Sequence, residues 1–166
     1  VDEVHARGVS YFSAAGNYGV SSYEAPFNPT SAPSGYTGSA HNFSGGDVLQ
    51  NVTLKAGDYL VVLQWEDDVY STGDVTGSVN DFDIFLTDPS GAMLFGFNTN
   101  NLGKDPIEVL PFSVRGTTEA NFLITRKAGS TNARLKYIVF TGEITINEHN
   151  TGTSTCVGQA NAAGAM

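Results

Sequence analysis

The chain has 166 residues, with 17 Asp and Glu against 8 Lys and Arg and a formal net charge of -9. That length suits one domain, or one domain with flanking pieces of another, and the acidity argues against nucleic acid and anionic membrane surfaces as partners. Its one cysteine, Cys156, excludes an internal disulfide and a cysteine-based zinc site, and no apolar run approaches the ~20 residues of a bilayer span. Without an initiating Met or a signal-peptide pattern, the sequence reads as a piece of a longer chain.

The first predicted element is a helix in VDEVHARG, where Asp2 and Glu3 at the start and Arg7 at the end complement the helix dipole and Gly8 supplies a stop. VSYFSAA, residues 9–15, then reads as a short buried strand. A helix feeding a buried strand is half of an α/β unit, and nothing after it supplies a parallel partner. Residues 21–42, SSYEAPFNPTSAPSGYTGSAHN, are rich in Pro, Ser and Gly and read as a connection.

From residue 43 the hydrophobic period becomes two. DVLQNVTL places Val48, Val52 and Leu54 on one face, and YLVVLQW is a near-continuous apolar strand. DFDIFLTD alternates Phe82, Ile84 and Leu86 with Asp81, Asp83 and Asp88. DPSG, with Pro in the second turn position, predicts a type I turn into the hairpin partner AMLFGFN. Further strands are expected at IEVLPFSV, NFLITRK, RLKYIVF and EITINE, the first an edge or bulged strand because of Pro111.

These short strands, separated by Gly, Asn and Asp turns, predict a mostly β fold, a jelly-roll-like antiparallel β-sandwich over residues 43–147. After Asn147 the style changes again. TSTCVGQANAAGAM is small, Ala-rich and helix-compatible, with Thr153 or Ser154 able to cap its start and Cys156 read as a buried structural thiol. Residues 1–20 and 148–166 therefore read as short helix and strand pieces of a different body, joined through 21–42 to an inserted sandwich.

ARGVSYFSAAGN resembles the subtilisin-like serine peptidases, in which a buried strand ends in Ala-Gly-Asn. The resemblance implies that Asn17 donates to the developing oxyanion in an intact enzyme. An amide NH2 suits that role because it donates without charge or titration, and one such donor can be worth ~3–4 kcal/mol of transition-state stabilisation.

STCVGQANAAGAM is similar to the segment before the next core strand in a subset of these peptidases that carry a β domain at this point. LQWEDDVYS, NDFDIFLTDPSG and NTNNLGKDPIEVLPF are similar to such inserted domains and to bacterial pre-peptidase C-terminal β-sandwiches. The resemblance implies a secreted or cell-envelope bacterial endopeptidase acting on protein or peptide substrates, with no required cofactor. The inserted sandwich would aid substrate positioning or access.

The departures from the family pattern limit what this stretch does by itself. No Asp-Thr-Gly-like or Asp-Ser-Gly-like triplet occurs, and no His is followed by Gly. GTS at residues 152–154 matches the opening of the family's nucleophile helix. No Pro follows in register, so Ser154 reads as a cap or loop residue in preference to a nucleophile. Without base and nucleophile the chain is expected to be inactive in isolation. The alternative reading is a non-catalytic β-sandwich that binds carbohydrate, matrix or a neighbouring domain.

Calcium is a possible ligand of the acids Glu66, Asp67, Asp68, Asp74, Asp81 and Asp83, against the alternative of a solvated loop with outward strand acids. Trp65, Tyr59 and Tyr70 are a candidate aromatic platform, weighed against ordinary core or cross-strand packing. The three histidines are too scattered for a metal cluster, and NFS at Asn42 and NVT at Asn51 are formal glycosylation sequons.

Overall fold

The computed structural model describes residues 1–14, 16–74, 76–129 and 132–152. Two antiparallel sheets pack face to face. In chain order the strands are β1 (Ser22–Pro26), β2 (Pro29–Ser31), β3 (Ser39–His41), β4 (Gln50–Leu54), β5 (Gly57–Trp65) and β6 (Asp81–Thr87), then β7 (Met93–Phe97), β8 (Ile107–Val114), β9 (Thr118–Ala128), β10 (Arg134–Thr141) and β11 (Ile144–Ile146). The first sheet runs β1-β10-β5-β8. The second is built on β9, which pairs with β6 along one edge and with β4 and then β3 along the other. β7 lies outside β6, β11 outside β4 and β2 outside β3.

From β4 onward every connection except the β6–β7 hairpin carries the chain from one sheet to the other. That wrapping makes the two sheets one folding unit, because neither can assemble before its partner's strands arrive. The sandwich predicted from strand spacing is the fold observed. Pro111 sits on β8, an outer strand of the first sheet, where its missing N–H costs no ladder bond. In the DPSG turn the Gly91 N–H donates to the Asp88 carbonyl at 2.9 Å.

Period-two patterning fills the core. Tyr59, Val61, Leu63 and Trp65 of β5 point inward and meet Phe82, Ile84 and Leu86 of β6 and Phe122 and Ile124 of β9. Each fully buried large apolar side chain of this kind contributes about 1.5–3 kcal/mol. β6 is buried on both faces. Its outer face carries Phe85 and, with Leu123 and Ala40, is roofed by Tyr36, Val48 and Leu49. Val48 thus joins this outer cluster, separated from Val52 and Leu54, because β4 begins only at Gln50.

Residues 21–42 are structural, in contrast to the expected plain connection. β1 extends the first sheet on β10, Tyr23 and Phe27 enter the core, and the β2–β3 hairpin sits on β9. Pro is compatible with these strands because Pro26 and Pro29 lie at strand ends.

The N-terminal helix α1 (Asp2–Ala6) forms as predicted, and Gly8 follows it with φ +83. The buried strand expected at 9–15 is not formed over its described part. Residues 9–14 are not a strand, and Val9 and Phe12 are 54% and 77% exposed. A strand buried on both sides needs covering layers, and the sandwich does not provide them here. No helix among the described residues is long and apolar enough to cross a membrane.

Candidate functional site

Asn17 lies in an exposed bend after Gly16, whose φ of +89 turns the backbone sharply. The next residue, Tyr18, is already anchored, its ring packing edge-on against Phe140 at 5.1 Å. A short 3-10 turn, Gly19–Ser21, then leads into β1. Asn17 therefore stands one residue before the ring contact that Tyr18 makes with the sandwich. Ser154 and Thr153, the other residues of the resemblance to a nucleophile segment, and Cys156 lie outside the described residues.

The outgoing chain returns to the same place. Asn147 N–H donates to Asn51 O at 3.0 Å, and Asn51 N–H donates to Glu148 Oε1 at 2.7 Å. Gln50 Nε2 holds the carbonyls of Glu148 and His149, both at 3.3 Å. His149 Nε2 lies 3.0 Å from Asp47 Oδ2. Finally the Glu24 N–H donates to Thr151 Oγ1 at 3.2 Å, joining the incoming strand to the outgoing segment.

One metal-ligand grouping falls at this junction: Asp47, Glu148 and His149 offer atoms within 4.8 Å of one another. His149 Nε2 and Asp47 Oδ2 already meet each other at 3.0 Å, and Glu148 accepts from the Asn51 amide. The three histidines stay apart, with His5 on the exposed α1 and His41 in the core.

The acids of residues 66–83 do not converge as one ligand set among the described residues. Asp67 is instead a structural hub. Its carboxylate accepts from Trp65 Nε1 at 3.1 Å, Ser78 Oγ at 2.7 Å, the Val79 and Asn80 amides, and Asn80 Nδ2. Asp74 accepts from the Val69 amide and Asp68 from the Thr76 hydroxyl. Glu66, Asp68 and Asp74 are exposed. The aromatic platform is not formed. Trp65 and Tyr59 are core residues and only Tyr70 is exposed, because alternation sends 59 and 65 to the same inward face.

Two acids of the expected set behave differently. Asp81 and Asp83 are buried, and with them Glu108 of β8. Asp81 Oδ1 accepts from the Asn101 amide at 3.0 Å, and Lys127 Nζ approaches Asp83 Oδ2 at 3.7 Å. No donor reaches full hydrogen-bond geometry at the carboxylates of Asp83 and Glu108, but Lys127 faces the first and the Thr99 backbone N–H the second. Burial pushes the Asp83 carboxyl up to about 6, with Lys127 opposing and Asp81 adding to the shift. Burial, then the neighbouring Asp83, pushes Glu108 up to about 7. A pocket of about 240 Å³ between Tyr36, Phe85, Met93 and Asn98 reaches Asp83 and Lys127.

Glu108 was legible in principle, since it shares the inward period of Leu110 and Phe112. Asp83 was not, because its burial comes from the layer that residues 32–49 add.

No family model matches the chain, and no curated protein matches it at a significant level.

Proposed function

We propose that this chain is the inserted-sandwich portion of an exported subtilisin-like serine endopeptidase, with Asn17 as an oxyanion donor in the intact enzyme. The observation that carries the proposal is the junction closed by Glu24 and Thr151. The chain enters the sandwich at Tyr18 and leaves it beside β1, so the two ends run side by side. A domain inserted into another body needs its two ends close together, since otherwise the host fold is pulled apart. The AGN motif at the incoming end then puts the sandwich beside the substrate cleft. That placement suits a role in positioning protein substrates or limiting access.

The test is kinetic. In the peptidase-bearing polypeptide, Asn17→Ala should lower kcat on a peptide substrate by about 100- to 1000-fold with little change in KM. Unchanged kcat, or absence of peptide hydrolysis in that polypeptide, rejects the proposal.

One observation favours a non-catalytic binding module. The outer strand β7 exposes Met93, Leu94, Phe95 and Phe97 by 42–52% each, an apolar run unusual for a sheet edge facing water. In that reading the strand would meet a matrix component or a neighbouring domain. Binding to such a ligand that is abolished by Phe97→Asp, with no peptide hydrolysis by the polypeptide, selects it.

A further inference from the structure

Sheet edges that face water are guarded by shortness, by Pro or by charge, because an unpaired ladder invites another strand. The outer strands of this sandwich follow that rule with one exception. β2 and β11 have three residues each, β1 carries Glu24 and Pro26, and β8 carries Glu108 and Pro111. β7 has none of these devices beyond a bulge at Leu94. It reads MLFGF, and past the bulge Phe95, Gly96 and Phe97 run in regular register with Leu86, Phe85 and Ile84 of β6. No strand among the described residues pairs with its other edge.

A second observation falls on the same strand. Met93 at the start of β7 and Asn98 just past its end both line the pocket of about 240 Å³. One wall is the Phe85 ring, which lies so close over Gly96 that a Cβ there would collide with it. β7 therefore raises no side chain between its free edge and that ring. Tyr36 forms another wall, edge-on to Phe85 at 5.1 Å and tethered by its hydroxyl, which donates to the Gly91 carbonyl at 3.0 Å. Lys127 stands 3.7 Å from Asp83 in the same pocket, so the charges there already answer each other. The space is below the ~300 Å³ of the smaller pockets for whole ligands and suits one large uncharged side chain.

We propose that the free edge of β7 binds an extended peptide segment as an added strand, with one large apolar side chain of that segment seated in the pocket beside Phe85, Met93 and Tyr36. The ladder supplies affinity that is indifferent to sequence, and a pocket for one of the alternating side chains supplies selectivity. Neighbouring strands lie about 4.8 Å apart, within reach of a Phe or Met side chain crossing over Gly96. The size of the surface selects a peptide over a globular partner. Five residues of one edge fall far short of the ~800 Å² per partner that a stable protein–protein interface buries. Charge argues against a second copy, since each chain carries a formal net charge of -9. The preferred segment is accordingly neutral or basic. Where the peptidase reading holds, it is an unfolded stretch of protein substrate. Its binding is tested apart from the Asn17 kinetics, so either fails without the other.

The experiment titrates the full chain with the fluorescein-labelled peptide Lys-Thr-Val-Thr-Phe-Thr-Val-Thr-Lys, read by fluorescence anisotropy, and follows amide hydrogen exchange across β7. Saturable binding should slow exchange of the β7 amides at least about 10-fold. Replacing the central Phe of the peptide by Ala should weaken binding at least about 10-fold. N-methylating its central amides should abolish binding although every side chain is kept. Thr37 is exposed and lines the pocket, so Thr37→Trp fills the space without touching the core. With an unchanged melting temperature, that variant should lose the preference for Phe over Ala. No binding at millimolar peptide overturns the inference. So does binding that survives N-methylation, protection confined to another strand, or a Phe preference that persists in Thr37→Trp. A dimer of the chain that protects β7 without peptide overturns it as well.

Discussion

Tyr137 Oη donates to Gln50 Oε1 at 2.6 Å in the middle of the sandwich, both residues fully buried. The NH2 end of the same Gln50 amide holds the carbonyls of Glu148 and His149, so one side chain links the core to the outgoing segment. Tyr137→Phe removes the donor and leaves Gln50 Oε1 stranded, at a cost of about 1–3 kcal/mol. For a domain of this size the melting temperature should fall by about 3–10 °C. Equal melting of the variant and wild type would show that the amide finds another partner.

His41 is held neutral by the core. Burial lowers its pKa to about 4. Its Nδ1 accepts from the Asn28 amide at 3.2 Å, so Nε2 carries the proton and donates to Tyr23 Oη at 2.8 Å. The rings of Phe27 and Phe43 cover it. The unfolded chain takes up a proton on this imidazole near pH 6.5, and the folded protein does so only near pH 4. Acidification across that window therefore favours unfolding, and the stability from keeping His41 neutral is lost as pH falls from about 6.5 to 4. The full effect is about 3 kcal/mol. His41→Gln keeps an acceptor and a donor but removes the titration. Urea unfolding of both proteins from pH 7 to 4 should therefore show the gap between them shift by that amount in favour of the variant. A gap independent of pH contradicts the assignment.

Gly38 packs against the central strand of the second sheet. At φ +85, a Cβ there would meet the Arg126 carbonyl, lying 2.8 Å from its carbon. Gly73 has a similar φ of +104 but opens onto empty space. Gly38→Ala should therefore cost at least about 2 kcal/mol, from backbone strain plus collision with β9. Gly73→Ala should cost about 1 kcal/mol, from strain alone. Chemical denaturation of the two variants side by side tests the difference, and equal losses would mean that β3 shifts away from β9 at little cost.

Which features were legible in the sequence follows from how far apart their causes lie. β5 and β6 were readable because alternation is local: Val61 and Leu63, or Phe82 and Ile84, announce an inward face by themselves. The DPSG turn was readable for the same reason. β1 to β3 were not, because their Pro and Ser content suggests loop, and only pairing with β9 and β10 makes them strands. The burial of Asp83 is hidden in the same way, since Tyr36 and Leu49 roof the outer face of β6 from distant positions in sequence. The segment 9–14 shows the converse. Its apolar run is strand-like in pattern, yet Phe12 remains exposed because pattern does not provide a covering layer.

The incoming flank also makes a prediction about stability. α1 buries none of its residues, and the ion pair between Arg7 and Glu3 lies on the surface. Exposed pairs of that kind contribute little. The first aromatic contact with the sandwich is made by Tyr18. Removing residues 1–17 should therefore change the melting temperature by no more than about 2 °C, the range of surface changes that touch no core. Removing residues 1–27 also takes away β1 with Tyr23 and Phe27, each about 3% exposed in the core, and exposes β10 as a new edge. That loss should abolish cooperative unfolding. Calorimetry on the two truncations separates the cases. A large drop already at residue 17 would mean that the flank stabilises the sandwich through contacts beyond Tyr18, and the boundary of the sandwich would then move toward the N-terminus.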